Sequence, residues 1–216
     1  RDRLVGILLG VGVATFVQMS FWREGEGDVL RLKLATLLRA IAAQVRPPQV
    51  GEEQADELPY AQRQLQAWAV LTDCETTLSR VALEPGWQES EQSQLTLRAQ
   101  TVLAQGREIM LAADALRNTL VAQADLASPH TIDVVRAAQQ QAGTELNRYA
   151  DELAANPPDA RAPRRIEIAA QAGEPALPAD QSIITAADEL LRQITGLPDW
   201  RIEAPVAAHA SAAVRA

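Results

Sequence analysis

The chain has one cysteine, one lysine, two histidines and few aromatics: of its 216 residues only 4% are Phe, Trp or Tyr. A single thiol, Cys74, rules out an intrachain disulfide, in keeping with a reducing compartment. Cys74 lies at helical spacing from Leu71 and Leu78, which predicts a buried structural thiol rather than a nucleophile. Lys33 is the lone lysine beside nineteen arginines, a composition effect more than a chemical one. Scarce aromatics leave the core to aliphatic side chains and alanine. Nucleotide loops of the Walker or G-x-G-x-x-G kind are missing, as are G-x-S-x-G and the E-x-x-H pair of di-iron helical proteins. His130 stands at a predicted helix start and His209 near the end of the chain. Convergent catalytic groups are not in evidence, so no enzyme and no cofactor are expected.

Charge is also absent, locally. Residues 4–22 read LVGILLGVGVATFVQMSFW, nineteen positions without a charge. At about 1.5 Å of helix rise per residue they span roughly 28 Å, near the thickness of a bilayer's hydrocarbon core. Ten are Leu, Ile, Val or Phe, contributing on the order of −4 kcal/mol to insertion. A signal peptide would start with Met and end in small residues, whereas this run follows Arg1 and closes in Phe21, Trp22, Arg23 and Glu24. A membrane span in a piece of a longer chain is therefore expected. Gly6 and Gly10 form a GxxxG pair that Ala14 and Gln18 continue, a ridge suited to close packing on neighbouring membrane helices. Arg1, Asp2 and Arg3 would anchor one end at the interface or line a polar pathway. Arg23, Arg31, Lys33 and Arg39 follow the span closely, and the positive-inside bias places everything after Trp22 in the cytoplasm.

The chain carries −8 and its first three residues +1, so the remainder carries −9. Without a local basic patch, and Arg164-Arg165 is only a pair, nucleic acid is not an expected partner. Helical periods run through the rest. Asp28 is a candidate N-cap for a first helix bearing Leu30, Leu34, Leu37, Leu38, Ile41 and Val45, ended by Pro47-Pro48. Glu52, Glu53, Asp56 and Glu57 make an acidic linker, a solvated run more readily than a metal site. A second helix starts around Pro59 with the stripe Leu65, Trp68, Leu71, Cys74, Leu78 and Val81. A third, capped by Ser90, runs to about Ala124 with Leu95, Val102, Ile109, Met110, Leu116 and Leu120. Ser128-Pro129 opens a fourth, with Ile132, Val135, Ala142, Leu146, Tyr149 and Leu153. Residues 156–180 read as a Pro/Ala-rich linker draped over the helices through Ile166 and Ile168. Asp180 or Ser182 starts a short C-terminal helix within 181–200, which Gly196 closes and Trp200 anchors.

The expected class is all-α. Residues 1–22 form the last transmembrane helix and 23–155 an antiparallel cytoplasmic helical bundle of about four long helices. The linker, the short helix and a disordered tail at 201–216 complete the chain. A homo-oligomer is left open.

Two stretches carry a family resemblance. RDRLVGILLG at residues 1–10, with its apolar run closing at Trp22, resembles the last membrane helix of the fusaric-acid-resistance / aromatic-acid-exporter family. RVALEP at 80–85 and SEQSQLTLRAQTVLAQGREIM at 90–110 resemble the cytoplasmic helices of its MdtO-type multidrug efflux subunits. The resemblance implies a multi-pass inner-membrane subunit exporting drugs or aromatic acids, driven by the proton gradient. Its implied partners are the remaining transmembrane helices, the lipid bilayer, a periplasmic adaptor and an outer-membrane channel. Arg3, Gly6 and Gly10 are the positions matching the helix motif, with Arg3 the candidate for the transport pathway. Relatives often carry Pro after the closing Trp, where this chain has Arg23. The alternative from another class is a membrane-anchored sensor with a four-helix ligand-binding bundle, which should return to the membrane through a second span.

Overall fold

A computed structural model describes residues 26–47, 57–81, 89–155, 159–168 and 177–200. Among the described residues every regular element is helical: α1 (Glu26–Val45), α2 (Glu57–Val81), α3 (Glu89–Gln123), α4 (Pro129–Ala154) and α5 (Pro178–Thr195). A 3-10 turn, Ala124–Leu126, follows α3. The all-α expectation holds for them, and none is long and apolar enough to cross a membrane. The expected membrane span at 4–22 lies outside the described residues, as does the tail from 201 onward.

Apolar periodicity places α1 at the centre, against α2, α3 and α4. Leu30, Leu34, Leu37, Leu38, Ile41 and Val45 are all fully buried, as their spacing predicts. The helix begins ahead of the expected cap. Asp28 lies inside its first turn, 3.1 Å from Arg31, where a carboxylate still favours the positive end of the helix dipole. Neighbour directions follow from paired residues. Lys33 meets Asp73 and Gln44 meets Tyr60, so α1 and α2 run antiparallel. Arg39 meets Asp151 and Gln139 donates to the Val45 carbonyl, so α1 and α4 do too. Ile41 lies against Gly106 and Gln44 against Asp114, which makes α1 and α3 parallel.

Two glycines set how closely the helices approach α1. A Cβ on Gly143 would lie 2.6 Å from Arg46 Cγ and 3.2 Å from the Ala42 carbonyl oxygen. One on Gly106 would come within 3.3 Å of Ile41 Cδ1.

One stripe departs from expectation. Leu65 is 69% exposed, while Tyr60, Ala67, Leu71, Cys74 and Val81 are buried. At about 100° per residue Leu65 points roughly 150° away from the middle of that set. The inward face of α2 is therefore chosen by Tyr60 and Ala67, smaller or more polar than the leucine that pattern-reading favours. Trp68, on the flank, is half-buried.

The chain after α4 lies on the helices. Ala160, Ile166 and Ile168 are buried, so the draping through Ile166 and Ile168 is observed. Carboxylates on α4 hold this backbone: Glu152 accepts from the Arg161 N–H and Glu145 from the Arg164 N–H. Arg148 sits between those two carboxylates, 2.9 Å from Glu145 and 2.7 Å from Glu152. Trp200 is buried; its N–H donates to the Ala160 carbonyl at 2.7 Å, and its carbonyl accepts from Arg98. Tyr149 closes the corner by donating to the Pro198 carbonyl.

Ser128 caps α4 as expected, its hydroxyl accepting from the Thr131 N–H. The start of α5 differs from expectation. The helix begins at Pro178, whose missing N–H costs nothing in a first turn. Asp180 reaches back to the Leu177 backbone at the start of its own helix and also accepts from the Ser128 N–H at 2.8 Å, tying the starts of α4 and α5 together. Gly196 closes α5 with φ −76°, not in a left-handed conformation. Its lack of a side chain instead admits Gln105, whose amide nitrogen would be 2.8 Å from a Cβ there. That amide donates to the Gln193 carbonyl, which also accepts from the Gly196 N–H at 3.1 Å in the last turn.

Candidate functional site

Where α1 ends and α2 and α4 begin, four helices leave a cleft of about 340 Å³. Proline causes part of it. Pro47 stops α1, so Arg46 is the last residue to make a helical bond there, its N–H donating to the Ala42 carbonyl at 3.2 Å, and its side chain lines the cleft. The C-terminal third of α3 forms the opposite wall with Leu120 and Val121, and Ile132 of α4 completes an apolar side.

A carboxylate buttresses the cleft from behind. Asp114 accepts from Tyr60 Oη at 2.5 Å, from Gln44 Nε2 at 2.9 Å and from Gln64 Nε2 at 2.6 Å. Three donors from α1 and α2 thus converge on one residue of α3. Burial raises the Tyr60 pKa well above the ordinary phenol, and the bond given to Asp114 raises it further, so the hydroxyl stays a donor. The Arg117 guanidinium lies over the Tyr60 ring, 4.0 Å from its centroid.

Arginine dominates the lining. Arg46, Arg63, Arg117 and Arg136 come one from each of four helical regions, and among the described residues no carboxylate lines the cleft with them. Arg46 Nε and Gln44 Oε1 are buried without a hydrogen-bond partner. Gln44 is 3% exposed, so water does not readily satisfy that oxygen.

The residues singled out from the sequence lie elsewhere. Arg3, Gly6, Gly10, Ala14 and Gln18 fall outside the described residues, and so do Glu52, Glu53 and Asp56. His130 is exposed in the first turn of α4. Cys74 is buried, and burial first, then the neighbouring Asp73, pushes its thiol up to about 12. Among the described residues no group of three His, Cys, Asp or Glu could hold a metal ion. Sequence reading found no basic patch because these four arginines lie far apart in the chain, without a motif. The one local hint was Arg46 immediately before the prolines.

Comparison with proteins of known name finds a likeness along nearly the whole chain. Over 200 residues, 93% of its length, it is 30% identical to a protein of Escherichia coli K12. That protein is the multidrug resistance protein MdtO. The MdtO of Escherichia coli O157:H7 is likewise 30% identical over 200 residues. The MdtO of Shigella flexneri is 36% identical over 119 residues, 55% of this chain. The chain spans about a quarter of these relatives: 27% of the two Escherichia coli MdtO proteins and 17%, over the shorter match, of the Shigella one. No family model matches it, and no solved structure does.

Proposed function

We propose that this chain is the C-terminal part of an MdtO-like efflux subunit of the bacterial inner membrane, exporting drugs or aromatic acids at the expense of the proton gradient. Residues 4–22 are its last membrane helix, packed on the other transmembrane helices through Gly6, Gly10, Ala14 and Gln18, with Arg3 at the edge of the transport path. The helices from α1 onward form a cytoplasmic bundle that serves assembly or coupling and has no enzymatic activity. A periplasmic adaptor and an outer-membrane channel complete the export route. One observation carries this reading: the 30% identity to MdtO across 200 of the 216 residues.

Deleting residues 23–216 from the full transporter tests the role of the helical part. Loss of drug or aromatic-acid resistance, with the truncated protein still inserted in the membrane, is expected. Wild-type resistance from that truncated protein would overturn it. Cysteine-accessibility labelling near Glu52 tests the orientation, since periplasmic labelling contradicts a cytoplasmic bundle.

A further inference from the structure

We infer that the outward face of α3 is where a second copy of this chain docks, the two α3 helices lying side by side and parallel. The contact goes beyond the efflux reading and does not rest on it. α3 packs inward on α1, with α2 and α5 on its flanks. Its opposite face is exposed but is not built as a solvated face. Positions 97, 101, 104, 108, 111, 115, 118 and 122 follow one another by fours and threes, are all exposed, and include a single charge, Glu108. Leu97 is 65% exposed and Leu111 52%. Thr101 turns its hydroxyl back to the Leu97 carbonyl at 2.9 Å, which leaves its methyl for the surface. α5 shows the contrast: beyond Pro178 its exposed residues are Gln181, Ser182, Thr185, Asp188 and Arg192. Apolar residues repeating at 3.5-residue intervals form the seam along which two helices coil about each other. Here the repeat runs about 38 Å along α3.

The stripe matches itself, which points to a second copy rather than to another protein. In a parallel pair Leu97 meets Leu97 and Leu111 meets Leu111. Asn118 meets Asn118, and an amide both donates and accepts, so it can bond its own counterpart and fix the register. Turned antiparallel about the middle of the stripe, Leu111 would lie on Glu108, and Asn118 on Thr101, whose hydroxyl is already engaged. The parallel pair also accommodates Glu108. A side chain at its position packs beside the residue that precedes its counterpart, here Arg107. Arg107 stands at the edge of the stripe, paired with Glu75 of α2, so each Glu108 meets an arginine of the other copy. At a helix width of about 10 Å the stripe covers roughly 400 Å² per copy, half of the roughly 800 Å² that stable complexes bury on each partner. The pair is therefore weak and reversible.

Disulfide cross-linking of the full chain in nonionic detergent tests the inference. Leu97→Cys and Leu111→Cys should each give a covalent dimer on mild oxidation. Wild type, with only the buried Cys74, and Gln140→Cys, on the exposed side of α4, should run as monomers on a non-reducing gel. Sedimentation of wild type should show a concentration-dependent dimer with a Kd on the order of 10 μM or weaker. Leu111→Lys sets a charge in the seam and should weaken that dimer about tenfold or more. Because Leu111 is exposed, the urea midpoint and circular dichroism of this variant should match wild type. Three results overturn the proposal. A monomer at every concentration would mean that another part of the same protein covers the stripe. A dimer that survives Leu111→Lys would use a different surface. Cross-links between mixed Leu97→Cys and Ala122→Cys chains, without Leu97→Cys linking to itself, would mean an antiparallel pair.

Discussion

Removing the Asp114 side chain should weaken the fold more than removing its charge alone. In Asp114→Ala, Tyr60 and Gln44 lose their shared acceptor while 9% and 3% exposed. Each buried donor left unpaired costs about 1–3 kcal/mol. Gln64 is half-buried and recovers a water, so its bond adds little. Tyr60 Oη and Gln44 Nε2 are 3.4 Å apart and can close on one another, which recovers part of the loss. The net expectation is about 2–4 kcal/mol for Asp114→Ala. Asp114→Asn keeps an oxygen for Tyr60 and Gln44, and Gln64 can turn its amide to match. It should forfeit only the charge assistance, about 1 kcal/mol. Urea unfolding of the full chain in nonionic detergent, followed by far-ultraviolet circular dichroism, measures both. Equal midpoints for the two variants, or an alanine variant as stable as wild type, would refute the reasoning. The first result would mean that a neutral acceptor contributes nothing here, and the second that desolvating the carboxylate costs as much as its three bonds return.

Three further outcomes follow from other parts of the fold. Trp200→Ala should cost about 3–5 kcal/mol, as for other buried aromatics, and speed trypsin cleavage after the already exposed Arg161, Arg164 and Arg165 by loosening the backbone that carries them; unchanged digestion would show that 159–168 is held without Trp200. Cys74, buried with its thiol held up to about 12, should react with a disulfide reagent at pH 8 only as fast as the chain unfolds, and rapid labelling of the native protein would contradict its burial. The Ser128 N–H holds the Asp180 carboxyl below its ordinary value. Because the folded value is the lower one, its stabilisation is complete above the unfolded pKa of about 3.9 and is lost as pH falls through the folded value. Urea midpoints measured at falling pH should therefore drop more steeply for wild type than for Asp180→Asn, and parallel curves would exclude this bond.

Local signals in the sequence reached further than long-range ones. The Ser128 cap, the fully buried face of α1 and the draping of Ile166 and Ile168 could all be read from spacing, because each depends on neighbours a few residues away. Trp200 could be read as an anchor because a large aromatic after a helix end has few other uses. Leu65 was misread because periodicity alone leaves the phase of α2 open, and that phase is set by contacts with α1 and α3. Gly196 suggested a left-handed cap, yet the space it leaves is taken by Gln105, eighty-eight to ninety-one positions upstream of its partners, and no local pattern encodes that. The cleft is the extreme case. Each of its arginines looks like an ordinary polar residue on its own helix, and only tertiary packing assembles them.

The glycine contacts on either side of α1 leave that helix a single rotational seat. Turning it by one residue, about 100°, would drive other side chains against Gly106 of α3 and Gly143 of α4, where Leu37, Ile41, Ala42 and Arg46 now fit. A tug or push delivered at Glu26 therefore cannot be absorbed by spinning the rod. It must move α1 together with its clasping partners, and Arg46, at the opposite tip, travels with them.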